Sequence, residues 1–169
     1  MVTSDVLIDA FDRIRQLVKR SVDGLEADAL AYRPEADANS IGWLVWHLTR
    51  IQDDHLAEIA GQDQTWVSES WADRFGMPAD PDNTGYGHTS EQVAALKPAD
   101  PDLLTGYHIA VSDQTRRYLA TVDATELDRI IDRSYDPPVS VGVRLVSVIS
   151  DNLQHAGQAL YVRGILERM

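Results

Sequence analysis

Helical periodicity is what most constrains the fold. Leu7, Phe11, Ile14 and Val18 recur every three or four residues, the spacing of one stripe on an α-helix. Leu104, Tyr107, Val111, Tyr118 and Val122 do the same, and Val148 and Val162 bracket a third such stripe. In WLVWHLTRIQDDH, Leu44, His47, Ile51 and Asp54 share a face. The spacing and its punctuation predict long helices over 5–22, 39–61, 101–122 and 140–166. Thr3 or Ser4, Asn39 or Ser40, and Ser140 are the expected N-caps, Pro101 suits a first helical position, and Gly61 suits a C-terminal stop. Between helices 2 and 3, residues 62–97 lose the period and carry Gly76-Met77-Pro78, Asp80-Pro81-Asp82 and Gly85-Tyr86-Gly87. Short helical turns are expected there, one opening at Thr89, where Thr89 and Gln92 have capping-box spacing. Leu127–Tyr135 reads as weakly extended, ended by Asp136-Pro137-Pro138. Four stripes with no strand-rich alternation predict an all-α fold, a four-helix bundle with a long crossover between helices 2 and 3. A chain of 169 residues with 44% hydrophobic content fits one domain over 1–169.

Composition removes several functions. No stretch approaches the roughly 20 apolar residues of a membrane helix, and MVTSDVLIDAFDRIRQ lacks the apolar centre of a secretory signal, so a soluble, cytoplasmic protein is expected. With no cysteine, the chain supplies neither thiolate nucleophile nor sulfur ligand, and any metal must be held by His, Asp, Glu or backbone oxygen. A net charge of −12 repels phosphate backbones, which argues against nucleic acid and anionic membranes and leaves small molecules or proteins as partners. There is no GxSxG, Walker loop or GxGxxG.

The chemistry sits in SDNLQHAGQAL, residues 150–160 of the fourth helix. On a helical wheel Asp151, His155, Gln158 and Val162 lie within about 60° of one another. If that face is buried, an acid and an imidazole occupy apolar positions, which costs several kcal/mol unless something compensates. His47 is likewise bracketed by Leu44 and Ile51. Should helices 2 and 4 be neighbours, His47, Asp151 and His155 would converge on one divalent cation, a His₂-carboxylate set that suits catalytic zinc and also nickel, iron or manganese. The plainer alternative is a hydrogen-bonded Asp–His pair beside a satisfied core histidine. D-x-x-x-H alone has little specificity. His55 is expected at the surface, and Arg50–Asp54 as an i,i+4 ion pair. His108 is expected to be structural, while His88 and Tyr86 belong to a loop that can fold over the site.

NSIGWLVWHLTRIQDDH and DNLQHAGQALYVRGIL resemble the second and fourth helices of the DinB-like superfamily of metal-binding four-helix bundles, which includes bacillithiol transferases and the mycothiol-dependent maleylpyruvate isomerase. The second segment is similar to that family's H-x-x-x-H-x-G-Q helix, with Asp151 in place of the first histidine. The isomerase branch has a carboxylate, Glu, at that position. The resemblance implies a metal site of His47, Asp151 and His155, with zinc or nickel bound. It also implies a low-molecular-weight thiol such as mycothiol as cosubstrate, and S-transfer or isomerisation of a small molecule. Arg50, His88 and Gln158 are the expected substrate contacts. The carboxylate is a harder ligand than the imidazole it replaces, which bears on the choice of metal. Non-catalytic metal or small-molecule binding in a stress-related protein is the other function the resemblance allows. Pairing of DinB-like chains through helix faces implies a homodimer, and four tryptophans are more than one small core is expected to need.

Overall fold

In the computed structural model, which describes residues 3–169, four long helices close a ring: α1 (Thr3–Val22), α3 (Ile41–Ala60), α7 (Pro101–Leu119) and α9 (Val141–Leu166). Helix α1 packs against α7 and α9, and α3 packs against the same two from the other side, so α3 and α9 share one seam and α1 and α7 share the opposite one. The shorter elements are α2 (Ala27–Ala31), α4 (Thr65–Ser68), α5 (Trp71–Arg74), α6 (Ser90–Ala95) and α8 (Ala124–Asp128). A two-stranded antiparallel ribbon joins β1 (Ile130–Asp132) to β2 (Val139–Ser140), with Ile130 opposite Ser140 and Asp132 opposite Val139. This is the expected all-α bundle with its crossover. No helix among the described residues is long and apolar enough to cross a membrane.

Helices α3, α7 and α9 start where a side chain, that of Ser40, Asp100 or Ser140, accepts from a free N–H of the first turn. Ser40 caps α3 by accepting from the Trp43 N–H at 3.1 Å, and Gly61 ends it in the left-handed region at φ 65°. Ser140 does the same for α9 through the Val143 N–H. Thr89 and Gln92 form a complete capping box on α6. Three expectations change. Thr3 and Ser4 lie inside α1 and do not cap it. Helix α7 stops at Leu119 and not at residue 122, because Asp123 caps a separate helix, α8, through the Glu126 N–H. That helix takes the start of the segment expected to be extended, which leaves only Ile130–Asp132 to pair as a strand.

The core is built from the predicted stripes: Ile14 and Val18 of α1, Leu44 and Leu48 of α3, Leu104 and Val111 of α7, and Leu145 and Val148 of α9 are all buried. So are all four tryptophans, Trp43, Trp46, Trp66 and Trp71, which roof the bundle where the crossover lies on α3 and α7. The chain's own core therefore uses the whole tryptophan complement, which gives no support to a dimer.

Candidate metal centre

The α3–α9 seam carries the three side chains. His47 lies two turns into α3 and is 5% exposed, whereas Asp151 and His155 sit one turn apart on α9 with 35% and 20% of their side chains exposed. One ligand atom from each lies within 4.8 Å of the others, and among the described residues this is the group of three arranged to hold a metal ion. It is walled by α3 on one side and opens along α9 on the other.

The tautomers follow from the partners. The His47 Nδ1–H donates to the Thr84 carbonyl at 2.6 Å, so Nε2 is the free acceptor. His155 Nδ1 donates to the Gln158 amide oxygen at 2.9 Å, which turns its Nε2 toward Asp151 Oδ1, 3.5 Å away. That distance is too long for a good hydrogen bond. It is close to the separation of two atoms that share a cation at about 2 Å. The other Asp151 oxygen, Oδ2, is buried and has no partner among the described residues. A buried carboxylate oxygen left bare is costly, and a cation is what this donor set fits. The two imidazoles meet edge to face, with ring centres 4.8 Å apart.

Burial pushes the His47 pKa below its ordinary value, outweighing the Thr84 hydrogen bond, so the ring is neutral and able to coordinate at neutral pH. His155 is pushed the other way, chiefly by the Asp151 carboxylate beside it, which favours the protonated ring. Trp43 stacks on His47 with ring centres 4.6 Å apart and planes 16° apart. Gly85, at φ 89°, lets the crossover come down onto this pair: a Cβ there would stand 2.8 Å from Trp46 Cζ3 and 3.0 Å from His47 Nδ1. Sequence reasoning took Gly85 for a turn residue only and missed the Thr84 carbonyl. Trp43 was legible, since it precedes His47 by one turn on the same face.

The three expected substrate contacts have other work. Arg50 is fully buried, with its guanidinium bonded to the Asn83 and Pro81 carbonyls and the Tyr107 hydroxyl and 3.5 Å from Asp53. It clamps the crossover to α3 and is closed to a ligand. The buried partner is Asp53 and not Asp54, because the i+3 carboxylate faces inward with Arg50. His88 is half-buried, accepting from the Trp43 indole N–H at Nδ1 and reaching Asn83 Oδ1 at Nε2, beside a small cavity lined also by Met77 and Gln92. Gln158 is exposed and orients His155. His55, expected at the surface, is half-buried against Arg144 of α9, which donates to its Nδ1 at 2.9 Å. His108 is a core residue, as expected.

A family model for the mycothiol S-transferases matches residues 6–168, nearly the whole chain. The chain belongs to the mycothiol S-transferase family. The membership covers all four bundle helices and brings the chain within the DinB-like fold that its second and fourth helices resemble. A solved structure described as a conserved protein from Enterococcus faecalis superimposes with a TM-score of 0.89 at 29% identity, over 96% of each chain. A comparison with curated proteins gave no match. In this mycothiol S-transferase family member the two segments that carry the resemblance also carry the three converging side chains.

Proposed function

We propose that the chain is a divalent-metal-dependent S-transferase that joins a low-molecular-weight thiol, mycothiol by family membership, to a small electrophilic substrate. The observation that carries this is the convergence of His47, Asp151 and His155, with Asp151 Oδ2 buried and unpartnered. Three protein ligands and an open side are the pattern of a catalytic site, whereas structural sites are closed by a fourth ligand. A bound cation would supply Lewis acidity that favours the thiolate form of a thiol at neutral pH. The chain has no cysteine, so that thiol comes from outside.

The chain's own residues supply the rest. His47 and His155 offer Nε2 lone pairs held in place by Thr84 and Gln158, and Asp151 contributes the negative charge. Burial of His47 under Trp43 and Gly85 keeps one wall dry, while the exposed edge of Asp151 and His155 leaves a way in for thiol and electrophile. The zinc-or-nickel choice belongs to the same proposal, the carboxylate shifting it toward metals that accept oxygen.

Metal analysis of the purified protein, followed by a mycothiol-transfer assay with and without chelator, tests this. One equivalent of metal and chelator-sensitive thiol consumption are expected. His155→Ala should lose the metal and the activity while keeping its helical circular dichroism. Metal bound by wild type with no thiol transfer to any of several electrophiles would favour a non-catalytic binding protein. Failure to retain zinc or nickel would overturn the reading.

A further inference from the structure

Trp43, His47 and Arg50 lie on one face of α3, three or four residues apart, and all three are buried. Residues 81–88 of the crossover run antiparallel along that face and answer each of them. The Pro81 and Asn83 carbonyls take the Arg50 guanidinium, the Thr84 carbonyl takes the His47 Nδ1–H, and His88 takes the Trp43 indole N–H at 3.2 Å. Gly87, at φ 74°, and a 3.1 Å bond from the His88 N–H to the Gly85 carbonyl turn the chain so that His88 reaches Trp43.

His88 has no nitrogen left for a ligand. An indole N–H only donates, so His88 Nδ1 is the acceptor; the proton of the neutral ring is then on Nε2, which donates to Asn83 Oδ1 at 2.9 Å. Burial pushes the pKa of the ring down, which keeps it neutral at neutral pH. Trp46 lies nearly parallel to the same ring, with centres 5.7 Å apart. Trp46 and Asn83 thus grip His88 while it holds the edge of Trp43, and Trp43 in turn lies against His47 with planes 16° apart. The Thr84 carbonyl sets which nitrogen of His47 is free, and the indole sets the plane in which that lone pair points. Without an acceptor the Trp43 N–H becomes a buried donor left unpaired, which favours rotation of the indole away from His47.

We propose that His88 is a positioning residue of the metal centre: its Nδ1 holds the Trp43 indole flat against His47 and so aims the His47 Nε2 lone pair at the cation. This rests on the metal-binding part of the reading above and not on thiol transfer. His88 acts through Trp43 and not on the substrate.

The experiment uses the full chain and two variants: His88→Asn, whose amide oxygen stands three bonds from Cα as Nδ1 does, and His88→Leu, which offers no acceptor. Affinities for zinc and for nickel, measured by competition with a chromogenic chelator, should fall roughly 10–100-fold in His88→Leu and return most of the way to the wild-type values in His88→Asn. The Trp43 indole N–H resonance of the metal-free protein, assigned from its loss in Trp43→Phe, should move upfield in His88→Leu and stay in place in His88→Asn. Wild-type affinity in His88→Leu, or a His88→Asn no better than His88→Leu, would overturn the proposal and leave the metal centre standing, whereas a wild type that binds neither metal overturns both. Should His88→Leu not fold, nitrogen-15 NMR of the wild type decides: a bare Nδ1 and a protonated Nε2 on His88 are expected, and the reverse tautomer would overturn the proposal.

Discussion

A single backbone carbonyl decides which nitrogen of His47 can coordinate. Thr84 takes the Nδ1 proton, and Gly85 lets Thr84 come close enough to do so. Gly85→Ala puts a Cβ within 3 Å of two rings at a backbone angle that L-residues avoid, so the loop must lift. Loss of such a supporting contact typically lowers metal affinity roughly 10–100-fold, and competition with a chromogenic chelator should show a fall of that size. Protons compete for the same atoms. His155 has a pKa raised above its ordinary value and His47 one lowered below it, so on acidification His155 protonates first. Apparent metal affinity should begin to fall above the ordinary histidine range and steepen only further down, where His47 joins; a flat profile down to pH 6 would contradict this assignment. The Asp151–His155 pair was legible in the sequence because a four-residue step fixes a shared helix face. The Thr84 contact was not, since a backbone carbonyl leaves no signature in residue type.

Helix α3 does two jobs on two faces: one presents His47 to α9, the other anchors the crossover through Asp53. That carboxylate accepts from the backbone N–H groups of Thr65 and Trp66 at 2.8 and 2.7 Å and from the Tyr107 hydroxyl at 2.7 Å, with Arg50 beside it. It thus caps α4 and neutralises a buried guanidinium. Asp53→Ala strands that cation and two amides in the interior, and removing one partner of a buried pair costs about 3–5 kcal/mol. Urea unfolding should show a loss of that order, whereas breaking the exposed Arg13–Asp9 pair on α1 should leave the midpoint unchanged. The four long helices were readable because their stripes and caps are local. The role of Arg50 was not: an arginine in a helix is ordinarily exposed, and nothing nearby in sequence announces that the Pro81 and Asn83 carbonyls, some thirty residues on, will close over it.

At the scale of the whole molecule the histidines act together on acid stability. His47, His55, His88 and His108 all have pKa values lowered by burial, and only His155 is raised. A histidine whose folded pKa lies below its unfolded one leaves the unfolded chain binding more protons, so stability falls as pH drops through the unfolded value near 6.5 and continues to fall until the folded pKa is reached. His155 has the opposite sign, gaining stability as pH falls through its raised value, and so it opposes the other four. His88 is partly exposed and contributes less than its neighbours. His108 dominates the remainder because its window is the widest, from about 6.5 down to about 3. Within that window it removes on the order of 1 kcal/mol per pH unit, against a total stability of roughly 5–15 kcal/mol for a domain. The metal-free protein should therefore lose denaturant resistance steadily between pH 6.5 and pH 4, with net proton uptake on unfolding. His108→Phe, if folded, should flatten that slope by close to one proton. A stability that stayed constant over the same range, or rose, would mean that His108 meets a compensating charge in the folded state and is not the buried neutral ring its surroundings dictate.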